Sequence, residues 1–202
     1  VILRIGDHIV ASYSLYGGTY NLLSNTLPRF GITTTFVDPD DPTEFTKAVK
    51  SNTRAFFAES LGNPKLDVLD LKAISESAKK AKVPFIVDNT VASPALLNPI
   101  EHGANIVIHS LTKYLTGNGT SMGGVIIDAG TFNWGNGNFP EFTEPNPSYH
   151  GLNYHEALGN IAFIAKVRVE GLRDLGSAPS PFNSFQTIQG IETLDIRMKK
   201  HS

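Results

Sequence analysis

Lys113 stands among hydroxyls. His109-Ser110-Leu111-Thr112-Lys113-Tyr114 follows the apolar run Ile106 to Ile108. A lysine amine at the end of a buried run can condense with a carbonyl group. Asp88 ends a second apolar run, Pro84 to Val87, and opens Asp88-Asn89-Thr90. A carboxylate sheltered from water can keep a nearby ring nitrogen protonated. Tyr16 precedes Gly17-Gly18 and offers an aromatic face. Asn63 closes Glu59-Ser60-Leu61-Gly62-Asn63 and brings an amide. Ser110 and Thr112, with Gly117, Gly119, Gly123 and Gly124 close behind, are the groups a phosphate wants: hydroxyls and accessible main-chain N–H donors. One cofactor uses the whole set. Pyridoxal phosphate needs an amine for its aldehyde, an acid partner for its ring nitrogen, an aromatic for its ring face and donors for its phosphate.

Taken singly, each residue has a plainer reading. Lys113 alone is a solvated surface lysine. Asp88 alone caps a helix or ends a strand. Ser110, Thr112 and the glycines are turn residues, and Tyr16 packs. His102 and His109 are surface or core histidines, because no spacing around them suits a metal. What favours the cofactor is the combination, in order, at the ends of apolar runs.

The elements that would place these groups follow from patterning. Short apolar runs alternate with helical stretches. The spacing predicts strands over His8 to Leu15, Ile32 to Val37, Arg54 to Ala58, Pro84 to Val87, Ile106 to His109 and Gly124 to Ile127. Helices are expected over Thr19 to Phe30, ended by Pro28, and from Asp41-Pro42-Thr43-Glu44, with Asp41 as cap and Glu44 closing a capping box. Asp70 should cap a helix running to Ala81, with Leu71, Ile74, Ala78 and Ala81 on its buried face. Glu156 to Leu175 and Ser184 to Lys200 also read as helical. Continuously apolar strands alternating with helices mean a mostly parallel sheet covered on both faces. In such sheets ligands bind outside the carboxyl ends of the strands, which is where the chemistry-bearing residues fall. The stretch from Gly130 to Gly151 is long, aromatic and rich in Gly and Pro, and is expected to be a functional loop.

Composition narrows the classes. The chain has 202 residues and a formal net charge of -2, so no broad basic field invites nucleic acid. There is no cysteine, which removes disulfides and thiolate chemistry and fits a cytoplasmic setting. No apolar run is long enough to cross a bilayer, so neither membrane nor nucleic acid is an expected partner. The opening Val1-Ile2-Leu3-Arg4-Ile5-Gly6 lacks a Met and reads like the end of a helix. The chain is expected to be an internal piece of something longer. A nicotinamide dehydrogenase would need Gly-x-Gly-x-x-Gly directly after a strand; Gly117-Asn118-Gly119 follows a lysine block instead.

The motifs resemble a known family. Val87-Asp88-Asn89-Thr90, His109 to Tyr114 and Gly123-Gly124, preceded in order by Leu15-Tyr16-Gly17-Gly18-Thr19 and Glu59 to Pro64, are similar to the blocks of the Cys/Met-metabolism (transsulfuration) pyridoxal-phosphate enzymes. The resemblance covers essentially the whole chain. It implies a fold-type-I large domain with a seven-stranded type of sheet, residues 1–202 being part of it, with an N-terminal segment and a C-terminal small domain outside the chain. It implies Lys113 as the Schiff-base lysine, Asp88 as the pyridinium partner and Tyr16 as the stacking aromatic. Ser110 and Thr112 become phosphate contacts, and Asn63 a contact to the ring hydroxyl. Phe139-Pro140-Glu141-Phe142 through Tyr149-His150-Gly151 resembles the insertion of the O-acetylhomoserine sulfhydrylases within that family. The implied reaction is γ-replacement on O-acetyl-L-homoserine by sulfide, giving L-homocysteine and acetate, in a homotetramer of dimers that share active sites. Sibling reactions, a cystathionine γ-synthase or a methionine γ-lyase, and a non-catalytic fragment are the alternatives. The family's remaining phosphate contacts and its substrate-carboxylate arginine would lie beyond Val1 and Ser202. Residues 1–202 alone are therefore expected to bind the cofactor weakly and not to turn over.

Overall fold

Alternation along each strand decides which layer a side chain joins. The computed structural model describes all of residues 1–202. Its strands are β1 (His8–Ser12), β2 (Thr33–Val37), β3 (Thr53–Glu59), β4 (Phe85–Asp88), β5 (Ile106–Ser110) and β6 (Gly124–Asp128). They form one six-stranded sheet in the order β2-β1-β3-β4-β5-β6. All pairings are parallel except β5 with β6. The helices are α1 (Gly17–Asn21), α2 (Thr43–Lys47), α3 (Leu71–Ala81), α4 (Ser93–Leu96), α5 (Pro140–Thr143), α6 (Tyr154–Leu158), α7 (Ala162–Lys166), α8 (Pro181–Ile191) and α9 (Leu194–His201).

One face of the sheet sends Val10, Phe56, Ala58, Phe85, Val87 and Val107 into a cluster with Phe45 of α2 and Leu71, Ile74 and Ala78 of α3. The other face sends Ala55, Ile86, Ile106 and Ile108 toward Trp134, Phe139, Phe142, Tyr154 and Phe163. Ile9 and Ala11 of β1 join Leu15 and Leu23 in a smaller cluster. Both faces are thus covered as the apolar strands require, although β6 leaves Val125 and Ile126 exposed. The stretch from Gly130 to Gly151 supplies much of the second cluster. Trp134 is 1% exposed, and its ring stacks on Phe142 at 4.3 Å and on Phe163 at 5.2 Å. Short helical turns at Pro140–Thr143 and Pro147–Tyr149 interrupt it.

Several expectations are corrected. The six strands expected within the chain all form, and the differences lie in their limits and in the helices. β1 stops at Ser12 rather than Leu15, and Ser12 Oγ accepts the Ser14 N–H at 3.0 Å. The helix expected over Thr19 to Phe30 starts earlier, at Gly17, and beyond Asn21 continues as a wide turn (Leu22–Thr26) and a 3-10 turn (Leu27–Phe30). Asp41 accepts the Thr43 N–H at 2.9 Å, but Glu44 reaches the Asp38 N–H at 3.0 Å rather than closing a box on Asp41. The helix expected from Glu156 to Leu175 is broken at Gly159, whose φ of 52° no helix allows. Ser184 to Lys200 is two helices. At Gly190, inside α8, an added Cβ would lie 2.1 Å from the Thr116 carbonyl oxygen; only glycine lets the helix approach that loop. Asp70 caps α3 as expected, accepting the Ala73 N–H at 3.0 Å. No helix is long and apolar enough to cross a membrane.

Candidate active site

The carboxyl ends of β1, β3, β4 and β5 open on one cleft of about 1170 Å³. Tyr16, Asn63, Asp88, Ser110, Thr112 and Lys113 all line it, so every residue singled out from sequence arrives at one place. Strand parity accounts for this. Asp88 follows Ile86 by two residues and Ser110 follows Ile108 by two, so both point to the face that Ile86 and Ile108 occupy. In β3, Glu59 pairs in register with Asp88 and emerges on that face beside it.

Asp88 is half-buried at the end of β4. Its Oδ1 accepts the Thr90 N–H at 2.9 Å and the Thr90 hydroxyl at 2.5 Å. Oδ2 makes no hydrogen bond within the chain and can face a cationic ring nitrogen. The Thr90 hydroxyl also accepts the Ser110 N–H at 2.8 Å. One threonine therefore fixes the carboxylate rotamer and ties it to the start of the lysine loop. Asn89, between them, turns inward: it accepts from the Ser60 hydroxyl at 2.7 Å and donates to the Leu97 carbonyl at 2.8 Å. Its carbonyl meets His109 Nδ1 at 3.0 Å. Burial pushes the His109 imidazole below the usual histidine range.

The Ser110 and Thr112 hydroxyls are joined by a hydrogen bond of 2.5 Å. Lys113 is exposed in the cleft, with Nζ 6.0 Å from the centre of the Tyr16 ring. The loop carrying it is held by α9. Arg197 of α9 donates to the Tyr114 carbonyl at 2.7 Å and to the Gly190 carbonyl at 2.7 Å. An added Cβ at Gly117 would meet the Arg197 guanidinium at 2.6 Å. The Asn63 side chain lines the cleft with no partner of its own, ahead of a cis peptide to Pro64.

Glu59, Thr90, Asn89 and Arg197 had been given no role from sequence. Glu59 and Thr90 could have been found, since both stand at strand ends. Arg197 could not, because it reaches the site only through the packing of α9. No cluster of His, Asp and Glu is arranged to hold a metal ion.

The donor set fits pyridoxal phosphate. One amine, one carboxylate with a free oxygen, two neighbouring hydroxyls and one aromatic face surround a cleft large enough for a substituted pyridine and its phosphate. Residues 1–202 match a family model described as Cys/Met metabolism PLP-dependent enzyme. The O-acetyl-L-homoserine sulfhydrylase of Leptospira meyeri is 60% identical over 209 residues, covering 100% of this chain and 47% of that protein. The homocysteine synthase of Schizosaccharomyces pombe is 48% identical, covering 99% and 47%. Among solved structures, a putative O-acetylhomoserine (thiol)-lyase from Campylobacter jejuni superposes with a TM-score of 0.95 at 42% identity, covering 100% of this chain and 50% of that one. That crystal structure contains a pyridoxyl-lysine adduct. The chain spans about half the length of these relatives.

Proposed function

The chain belongs to the Cys/Met metabolism PLP-dependent enzyme family, with its fold-type-I α/β architecture, and from that premise we propose that it is part of an O-acetylhomoserine sulfhydrylase. The reaction is replacement of the acetyl group of O-acetyl-L-homoserine by sulfide, yielding L-homocysteine and acetate. The observation that carries this choice among the family's reactions is the 60% identity, across the whole chain, to a protein of that name. The loop from Gly130 to Gly151 belongs to the proposal as a packing element: its aromatics build the second core, and none of its residues lines the cleft.

When bound, pyridoxal phosphate supplies an electron-withdrawing ring that stabilises negative charge on the substrate carbons. The chain's own residues do the rest. Asp88 Oδ2 holds a proton on the ring nitrogen by charge. Tyr16 covers one face of the ring and excludes water there. Ser110 and Thr112 grip the phosphate, and Asn63 donates to the ring hydroxyl. The Lys113 amine anchors the cofactor. With the cofactor bound, the same amine would move protons between the substrate Cα and Cβ, the acetyl group leaving Cγ as acetate and sulfide taking its place. A second copy of the protein completing the cleft, in a homo-oligomer in the cytoplasm, is part of the same proposal.

The test uses the full-length protein with O-acetyl-L-homoserine and either sulfide or cysteine. Homocysteine formed from sulfide supports the reading. Cystathionine formed from cysteine in preference, or a keto acid formed with neither nucleophile, replaces it with a sibling reaction. A second measurement checks the phosphate grip. Each charge-assisted hydrogen bond to phosphate contributes about 1.5–3 kcal/mol. Ser110→Ala combined with Thr112→Ala should therefore raise the cofactor dissociation constant by at least about a hundredfold. Turnover at saturating cofactor should fall far less. A fall in saturated turnover at unchanged affinity would move these hydroxyls from binding to catalysis.

A further inference from the structure

Glu59 is 6% exposed and lines the cleft, yet the chemistry above uses it nowhere. It ends β3, whose neighbour β1 leads into Tyr16. These are the two strands between which the chain order reverses, where open α/β sheets form their ligand crevice. The Tyr16 N–H donates to Glu59 Oε1 at 2.6 Å, a short contact across that crevice. The Tyr16 carbonyl accepts the Tyr20 N–H at 2.9 Å. The main chain of Tyr16 is therefore held on both sides. Its ring folds back over Gly18, where an added Cβ would lie 2.6 Å from Tyr16 Cε1. The Lys113 amine stands 6.0 Å from the ring centre. An aromatic side chain that is 56% exposed would otherwise be free to swing.

A main-chain carbonyl could have accepted the Tyr16 N–H. A carboxyl in this place is electrostatically unfavourable. Burial raises the Glu59 carboxyl to about 7, and the charge of Asp88 beside it acts in the same direction. The facing groups are Asp88 from β4 and the Tyr16 amide at the start of α1.

We propose that Glu59 is a positioning residue: by receiving the Tyr16 amide it fixes the plane in which the Tyr16 ring meets the cofactor ring. The inference rests on the cofactor reading of the cleft but not on which substrate is used. Its test reads the cofactor rather than turnover. The full-length protein and its variants are titrated with pyridoxal phosphate, followed by fluorescence and by visible circular dichroism of the bound ring. That signal depends on one fixed orientation.

Glu59→Ala removes the acceptor and should raise the dissociation constant by up to roughly tenfold, because the cofactor must then order a side chain that the protein no longer holds in place. It should also cut the visible dichroism by roughly half or more, because the ring contact that orients the cofactor is lost. Glu59→Gln keeps an oxygen for the Tyr16 N–H and should restore both. Gly18→Ala displaces the same ring without touching Glu59 and should reproduce the loss of dichroism, which keeps the test decisive even if Glu59→Ala fails to fold. Unchanged dichroism and affinity in Glu59→Ala overturns the proposal. So does a Glu59→Gln protein as impaired as the alanine variant, since the charge rather than the acceptor would then matter. Failure of the unaltered protein to bind pyridoxal phosphate sinks the cofactor reading itself, and is seen before any variant is made.

Discussion

On the proposed function, Lys113→Ala in the full-length protein should bind pyridoxal phosphate without any bond that borohydride can fix, and should lose essentially all homocysteine formation. Lys113 is the only lysine lining the cleft, so no neighbouring amine can take its place at the cofactor. Two functions disappear together. On the proposed reading, the cofactor would lose its covalent anchor, and the substrate the base that moves protons at Cα and Cβ. Proton transfer by a positioned side chain alone contributes about 10²–10⁴-fold; losing the anchor adds to this. The fold should survive, because the Lys113 side chain is exposed and makes no hydrogen bond. The Lys113 carbonyl, which accepts the Gly117 N–H at 2.8 Å, is unaffected by the substitution. The measurement is reduction of the unaltered protein with borohydride, digestion and mass spectrometry. A pyridoxyl label should sit on the Lys113 peptide and vanish in the variant. Label on any other lysine ends the assignment.

Asp88→Asn tests the electron sink. The side chains are nearly identical in shape, and an amide oxygen can still accept both Thr90 bonds. What is lost is the negative charge. An opposite charge at contact distance shifts a partner's pKa by about 1–3 units. The ring nitrogen should thus be less protonated at neutral pH, and turnover should fall by about 10–10³-fold. The protein should still fold and still retain cofactor through Lys113, Ser110 and Thr112. Kinetics, together with a pH titration of the cofactor's visible spectrum, check both halves of this expectation. Near-normal turnover would mean that the ring nitrogen pairs with some other group.

Much of this was legible in the residues. The four apolar positions from Pro84 to Val87 read as a short buried strand, and they bring Asp88 to its end. The same holds for Ile106 to Ile108 before Ser110. Asp70 and its apolar spacing gave α3 almost to the residue. These features are local: a strand's parity, a helix's period and a cap each depend on a few neighbouring side chains. For the same reason the boundaries of β1 and of the later helices were off. A strand ends where its partner stops pairing, and Gly159 breaks a helix through a φ that no apolar pattern displays.

The sequence by itself determined which chemical groups this protein carries and that they stand at strand ends. Only the tertiary structure decided how they meet. Register between β3 and β4 sets Glu59 beside Asp88. Thr90 bridges from Asp88 to the Ser110 amide, across the gap between β4 and β5. Arg197, far along the chain, clamps the loop of Lys113. Trp134 and Phe142 read as loop residues and became core, because they fill the space between the face that carries Ile86 and Ile108 and the helical segment that starts at Ala162. Periodicity records which way a side chain points from its own strand. It does not record which strand lies alongside, in what register, or what must fill the space between, because those depend on contacts between residues that the chain keeps far apart.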